Sequence, residues 1–151
     1  MSRSRISQFV PATPAQVYRA CIDPAFVVRW RVPDNMMAKV HSFDARVGGG
    51  YRMSLTYRDP APSAGKTTAD TDTFNGRFLE LIPNEKIVEA INFETDDPGS
   101  RGEMTLTTSL RDVQDGTEVT MLFENIPSGV RPEDNDEGTR QSLKKLAALF
   151  V

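Results

Sequence analysis

Apolar and polar residues alternate with period two along most of this chain. Tyr51, Met53, Leu55 and Tyr57 are separated by Arg52, Ser54, Thr56 and Arg58, which predicts a strand with one apolar face. Similar strands are predicted over Ser4–Val10, Met37–Asp44, Phe74–Ile82 and Ile87–Glu94. Met104, Leu106, Thr108 and Leu110 mark a further strand, and Val119, Met121 and Phe123 the last. The breaks between them are turn chemistry: Gly48–Gly50, the PNEK string from Pro83, the DDPGSRG string from Asp96, and Asp115-Gly116, which closes a hairpin. The longest break, from Asp59 to Asp72, is polar and rich in proline and alanine and reads as a mobile loop.

Helical signals occupy the two ends. Thr13 is a good N-cap, Pro14 suits the first helical position and Gln16 completes a capping box, with Val17, Ala20 and Cys21 as the apolar stripe. Asp23-Pro24 repeats the cap-then-proline signal, predicting a second short helix to about Arg31. From Pro132 to the end, Thr139, Leu143, Leu146, Ala147 and Phe150 lie at helical spacing on one face. The order is one strand, two short helices, six strands and a long helix. Sequential strands with tight turns make an antiparallel meander, and the long amphipathic helix must cover its apolar face. The predicted class is α+β, a curved antiparallel sheet of about seven strands around a C-terminal helix, in one domain spanning residues 1–151.

Composition narrows the functions. A chain of 151 residues with 38% hydrophobic and 26% charged residues is expected to fold as one globule. The net charge of −3 speaks against a nucleic-acid partner, which demands a basic face. No apolar run has the length of a membrane span, and the opening MSRSRISQFVPATP has no apolar signal core, so a cytoplasmic protein without membrane association is expected. Cys21 and His41 are the single cysteine and histidine, which makes a His/Cys metal cluster implausible, and no metal or cofactor is expected. Ala64-Gly65-Lys66-Thr67 mimics the end of a phosphate-binding loop, but Pro60 stands where a glycine is required. Gly48–Gly50 is a tight turn and not a dinucleotide fingerprint, and no serine has the context of a hydrolase nucleophile.

The strings TPAQVYRACIDPAFVVRW, HSFDARVGGGYRMSL, GRFLELIPNEKIV, DGTEVTMLFENIPSG and EGTRQSLKKLAALF follow in order along nearly the whole chain. Together they resemble the bacterial proteins related to the activator of heat-shock-protein-90 ATPase, a branch of the START/birch-pollen-allergen (SRPBCC) superfamily. The resemblance implies a helix-grip fold with a pocket for small apolar molecules. It does not imply one activity, because the superfamily holds carriers, cyclases, hormone sensors and interaction domains. Family members often carry two adjacent tryptophans after the second helix, then Gly-Pro; here the string is Trp30-Arg31-Val32-Pro33. The last helix often begins with Gly-Trp, where this chain has Gly138-Thr139, so a wider or more polar pocket is expected. The eukaryotic activator has an extra N-terminal domain that this chain lacks, and chaperone activation is not carried over.

The residues expected to line a ligand cavity are Trp30, Met37, His41, Phe43, Tyr51, Met53, Phe78, Phe93, Met104, Met121, Phe123, Leu143 and Phe150. Methionines adapt to irregular ligands and aromatics supply contact area, although the same residues build an ordinary core. His41 shares strand parity with Phe43, which places it inward as a donor or acid–base group, and equally with the charged Lys39. Arg29 and Arg31 flank Trp30, either to hold a carboxylate or phenolate or as solvated helix-end charges. Tyr51 and Tyr57 offer hydroxyls on an apolar face; Glu80, Glu89, Glu94 and Glu103 read as solvated strand positions. Three functions compete. A binding module would hold a small hydrophobic molecule (a lipid, polyketide or aromatic compound) between sheet and helix. A cyclase- or hydrolase-like enzyme would use the same cavity through His41, Tyr51 and Arg31. A chaperone-related interaction protein would engage a protein partner. Under each reading a monomer or homodimer is expected.

Overall fold

The alternating segments assemble into one seven-stranded antiparallel sheet in the computed structural model, which describes residues 2–58 and 71–150. The chain runs β1 (Ser2–Val10), α1 (Pro14–Ile22), α2 (Pro24–Trp30), β2 (Met36–Phe43), β3 (Gly50–Tyr57), β4 (Thr71–Ile82), β5 (Lys86–Phe93), β6 (Met104–Val113), β7 (Gly116–Ile126) and α3 (Pro132–Ala148). The sheet order is β1-β7-β6-β5-β4-β3-β2. The meander from β2 to β7 is therefore sequential, and β1 closes on β7 across the two short helices. The resulting α+β arrangement is the helix-grip fold. The loop expected over residues 59–72 and the Ala64–Thr67 string lie outside the described residues, except that Thr71 and Asp72 already belong to β4.

The local signals act as their chemistry dictates. The Thr13 side chain accepts from the Gln16 backbone N–H at 3.2 Å, and the Gln16 side chain accepts from the Thr13 N–H at 2.9 Å, a complete capping box. Asp23 caps α2 through the Ala25 N–H at 3.0 Å. Asp115 adopts φ 67° in the β6–β7 hairpin, the left-handed conformation that Asp tolerates better than most residues.

The long helix α3 is held at both sides of the sheet. Toward β1, Ser4 Oγ donates to Asp136 Oδ1. Toward the segment after α2, Lys145 Nζ donates to the Val32 carbonyl at 2.5 Å and pairs with Asp34 at 2.7 Å, while the Gln141 side chain accepts from the Asp34 N–H at 2.9 Å. Leu143 and Leu146 are fully buried beneath this helix, with Val10, Val17, Val27, Met53, Leu106 and Val119 in the same core. Anchored at both margins, α3 bridges the middle strands, and its N-terminal half is polar. No helix among the described residues is long and apolar enough to cross a membrane.

Bulges in β2 and β4 reset the faces of these two strands. Val40 pairs with Met53 and Ser42 with Arg52, so His41 is an extra residue without a cross-strand partner. Phe78 pairs with Glu89 and Glu80 with Val88, which leaves Leu79 extra and exposed. On β2 the buried side therefore carries Met36, Ala38 and Val40 and then, past the bulge, Phe43.

Candidate functional site

A cleft of about 600 Å³ opens between α3 and the concave face of the sheet. Its floor is apolar: Leu55 on β3, Phe74 on β4, Ile91 and Phe93 on β5, Met104 on β6, and Met121 and Phe123 on β7. Its roof is the polar half of α3, with Asp134, Asn135, Gly138, Thr139 and Ser142. The chain between β7 and α3 supplies Gly129, Val130 and Arg131, and Asp97 and Ser100 come from the β5–β6 turn. Arg31, Pro33 and Met36 form the side near α2. The two walls thus differ in kind, one offering methionines and aromatic faces, the other hydroxyl, amide and carboxylate groups.

Behind Arg31 lies a buried polar cluster that joins three elements. Arg31 follows the last turn of α2, where its N–H bonds back to the Val27 carbonyl and its φ/ψ of −82°/58° turns the chain toward the sheet. The neighbouring Trp30 is locked by its indole N–H, which donates to the Ala20 carbonyl at 2.9 Å. The Arg31 guanidinium then donates to the Tyr51 hydroxyl at 2.9 Å and pairs with Glu89 at 3.0 Å, and Tyr51 donates to Glu89 at 2.5 Å. The guanidinium carbon also lies 5.1 Å from the Tyr51 ring centroid. Gly76 makes this possible. It pairs directly with Tyr51, and a Cβ there would fall 2.3 Å from the ring, so only glycine leaves room for the ring to cross β4 to Glu89 on β5.

Burial sets the protonation of this cluster. It raises Tyr51 well above its ordinary value of 10.0, against the opposing Arg31 charge. Burial alone would lower Arg31; the Glu89 carboxylate and the bonds to Glu89 and Tyr51 outweigh it and hold the guanidinium protonated. Cys21, in the same core, is pushed up to about 12 by burial and the Glu89 charge, with Arg31 opposing. Its thiol is therefore a packed apolar group and not a nucleophile.

The expected cavity residues divide into four groups. Phe93, Met104, Met121 and Phe123 reach the cleft. Trp30, Tyr51, Met53, Phe78 and Leu143 are buried at 0–3% exposure and belong to the packed core behind it. Phe43 stacks on Tyr51 with centroids 5.7 Å apart, and Phe150 packs against the core just beyond α3; neither lines the cleft. The inward placement of Met37 and His41 does not hold. Met37 is half exposed, on the opposite face of β2 from Met36. His41 is the bulged residue on the outer face, where its Nε2 meets Ser54 Oγ at 2.7 Å and Ser54 meets Thr73 Oγ1 at 2.8 Å. Counting parity back from Phe43 crosses the bulge, and each position beyond it inverts. Arg29 is exposed, whereas Tyr57 lines the cleft.

Glu89 is a further residue that sequence reasoning placed wrongly. It is 3% exposed and not solvated. Its position was readable, because Ile87, Glu89 and Ile91 alternate on β5 and all three are buried. A carboxylate on an apolar stripe signals a buried counter-charge, and Arg31 is that charge. Glu94, by contrast, is held by a two-point bond from Arg52 at 2.7 and 2.9 Å on the outer face, which lowers its pKa from the ordinary carboxylate value.

Comparison with known proteins agrees with this fold. The family model described as Activator of Hsp90 ATPase homolog 1-like protein matches residues 11–151. The crystal structure of protein CV1439 from Chromobacterium violaceum is similar at 36% identity and a TM-score of 0.86, over 98% of this chain and 96% of that one. Mll3558 from Rhizobium loti is 29% identical with a TM-score of 0.73, over 97% and 95% of the two chains. A protein from Arthrobacter aurescens at 16% identity and a TM-score of 0.81, covering 98% and 85%, shares the fold. None of the curated proteins matches the chain.

Proposed function

The chain belongs to the Activator of Hsp90 ATPase homolog 1-like family, and on that premise we propose that it binds a small, largely hydrophobic molecule in the cleft between sheet and α3. The observation that carries this reading is the cleft itself, about 600 Å³ with a floor of aromatic, methionine and aliphatic side chains. Small-molecule sites span about 300–1,000 Å³ and combine such walls with a few polar groups. Covering about 200 Å² of apolar ligand surface contributes about 5 kcal/mol, before the loss of ligand freedom is counted. The polar roof favours a ligand with one hydrophobic face and a hydrogen-bonding edge over a bare hydrocarbon.

Binding is favoured over catalysis by where the buried titratable cluster sits. Tyr51, Glu89 and Cys21 lie behind the wall, and of that cluster Arg31 alone reaches the lining. The exposed large apolar residues Phe9, Met37, Val47 and Leu79 lie on separate segments, which gives the protein-partner reading less support than the cleft gives the ligand. The test is native mass spectrometry of the protein purified from its own host, followed by denaturation to release what is bound. A released small molecule supports the reading and identifies its chemical class. A protein that comes through empty, and then fails to enhance N-phenyl-1-naphthylamine fluorescence, overturns it.

A further inference from the structure

We propose that Arg31 is the polar anchor of the cleft, and that it takes an uncharged hydrogen-bond acceptor, a ketone or quinone-type carbonyl, on a flat hydrophobic ligand. This deepens the binding reading above and rests on it.

Arg31 is the group of the buried cluster that meets the cleft, and it is fixed from behind. Glu89 at 3.0 Å and the Tyr51 hydroxyl at 2.9 Å hold two of its nitrogens, and both partners are 3% exposed. A guanidinium carries several N–H donors in a rigid fork, so these two bonds leave others unspent. The Arg31 side chain retains 13% exposure, and the residue lines the cleft. A donor whose rotamer is already set loses little freedom when a ligand arrives.

The charge around it selects the acceptor. Glu89 neutralises the guanidinium inside the wall, where charges are poorly screened. A carbonyl gains a charge-assisted bond there without adding charge. A carboxylate would set a second anion against Glu89, in a cleft that already carries Asp72, Asp97 and Asp134 against Arg31 and Arg131. An ammonium group would meet Arg31 itself. Beside Arg31 the floor offers Phe74, on which the Tyr51 ring packs edge-on at 6.1 Å, and this suits a flat ring system.

The test uses naphthalenes of one size: 2-acetylnaphthalene (neutral acceptor), 2-naphthoate (anion) and 2-ethylnaphthalene (no acceptor). Each displaces N-phenyl-1-naphthylamine from the full chain, from Arg31→Lys, and from the Arg31→Met/Glu89→Leu double variant, which removes both charges together and serves where the lysine variant does not fold. We expect 2-acetylnaphthalene to lose about tenfold in affinity in the variants while 2-ethylnaphthalene changes less than about twofold. In the unaltered protein 2-naphthoate should bind more weakly than 2-acetylnaphthalene. Equal losses for the acetyl and ethyl compounds would mean that Arg31 only shapes the cleft and would overturn the anchor. Tighter binding of 2-naphthoate would overturn the choice of a neutral acceptor. If the reporter itself does not bind, the cleft reading fails, and the anchor falls with it by a separate result.

Discussion

Removing Glu89 alone should destabilise the protein far more than removing Glu89 and Arg31 together. Arg31 and Glu89 side chains are 13% and 4% exposed and 3.0 Å apart, so each is the other's main compensation for lost water. Glu89→Leu strands a guanidinium, which does not deprotonate, and the expected loss is about 3–5 kcal/mol. For a chain of this size that corresponds to about 6–20 °C in Tm. Arg31→Met strands a buried carboxylate instead and should cost a similar amount. The Arg31→Met/Glu89→Leu double variant replaces the pair by apolar side chains and should lie within about 2 kcal/mol of the parent. Urea unfolding read by Trp30 emission supplies the assay, since this buried indole is the sole tryptophan. If Glu89→Leu costs less than about 1 kcal/mol, or the two single losses simply add in the double variant, the coupling inferred here is refuted.

Three further outcomes follow from the same structure. Met121→Trp should abolish N-phenyl-1-naphthylamine binding with the urea midpoint little changed, because Met121 faces the cleft; loss of the fold instead would place Met121 in tight core. Gly76→Ala should cost about 1–3 kcal/mol and weaken the near-ultraviolet circular dichroism of the Tyr51 region, because the new Cβ meets the ring at 2.3 Å; an unchanged stability and spectrum would contradict this. Stability should fall as pH rises from 9 toward 12, because the unfolded Cys21 thiol loses its proton near 9.0 and the folded one near 12, so the unfolded state binds fewer protons over that window. Tyr51 acts in the same direction. Cys21→Ala should lose less stability than the parent across the lower part of that range, and an identical alkaline profile would remove Cys21 as a contributor.

Most of the fold was legible along the chain, because its signals are local. Period-two alternation does not depend on what packs above it, and the Thr13–Gln16 capping box and Asp23-Pro24 act within a few residues. Element order then left an antiparallel meander covered by one helix as the consistent solution, and the β1–β7 pairing closes it. Boundaries moved by a few residues at most, as at the start of β4 at Thr71 in place of Phe74 and of β7 at Gly116 in place of Val119.

The site was less legible, because it depends on offsets that alternation cannot carry. A bulge at His41 adds one residue, and one residue inverts a strand face; nothing in MMAKVHSF marks where it falls. Glu89 stood on an apolar stripe in plain view, yet its partner lies 58 positions away (89 − 31), at the end of a helix. Whether Met121 is wall and Met53 is core is decided by where α3 stands off the sheet, which is set by its anchors to Ser4 and to Val32 and Asp34. Secondary structure and strand order were determined by the sequence by itself, since their free energies arise from neighbours along the chain and across one ladder. The cleft and the Arg31–Tyr51–Glu89 cluster were decided only by tertiary structure, since charge pairing and enclosed volume exist between elements and not within any one of them.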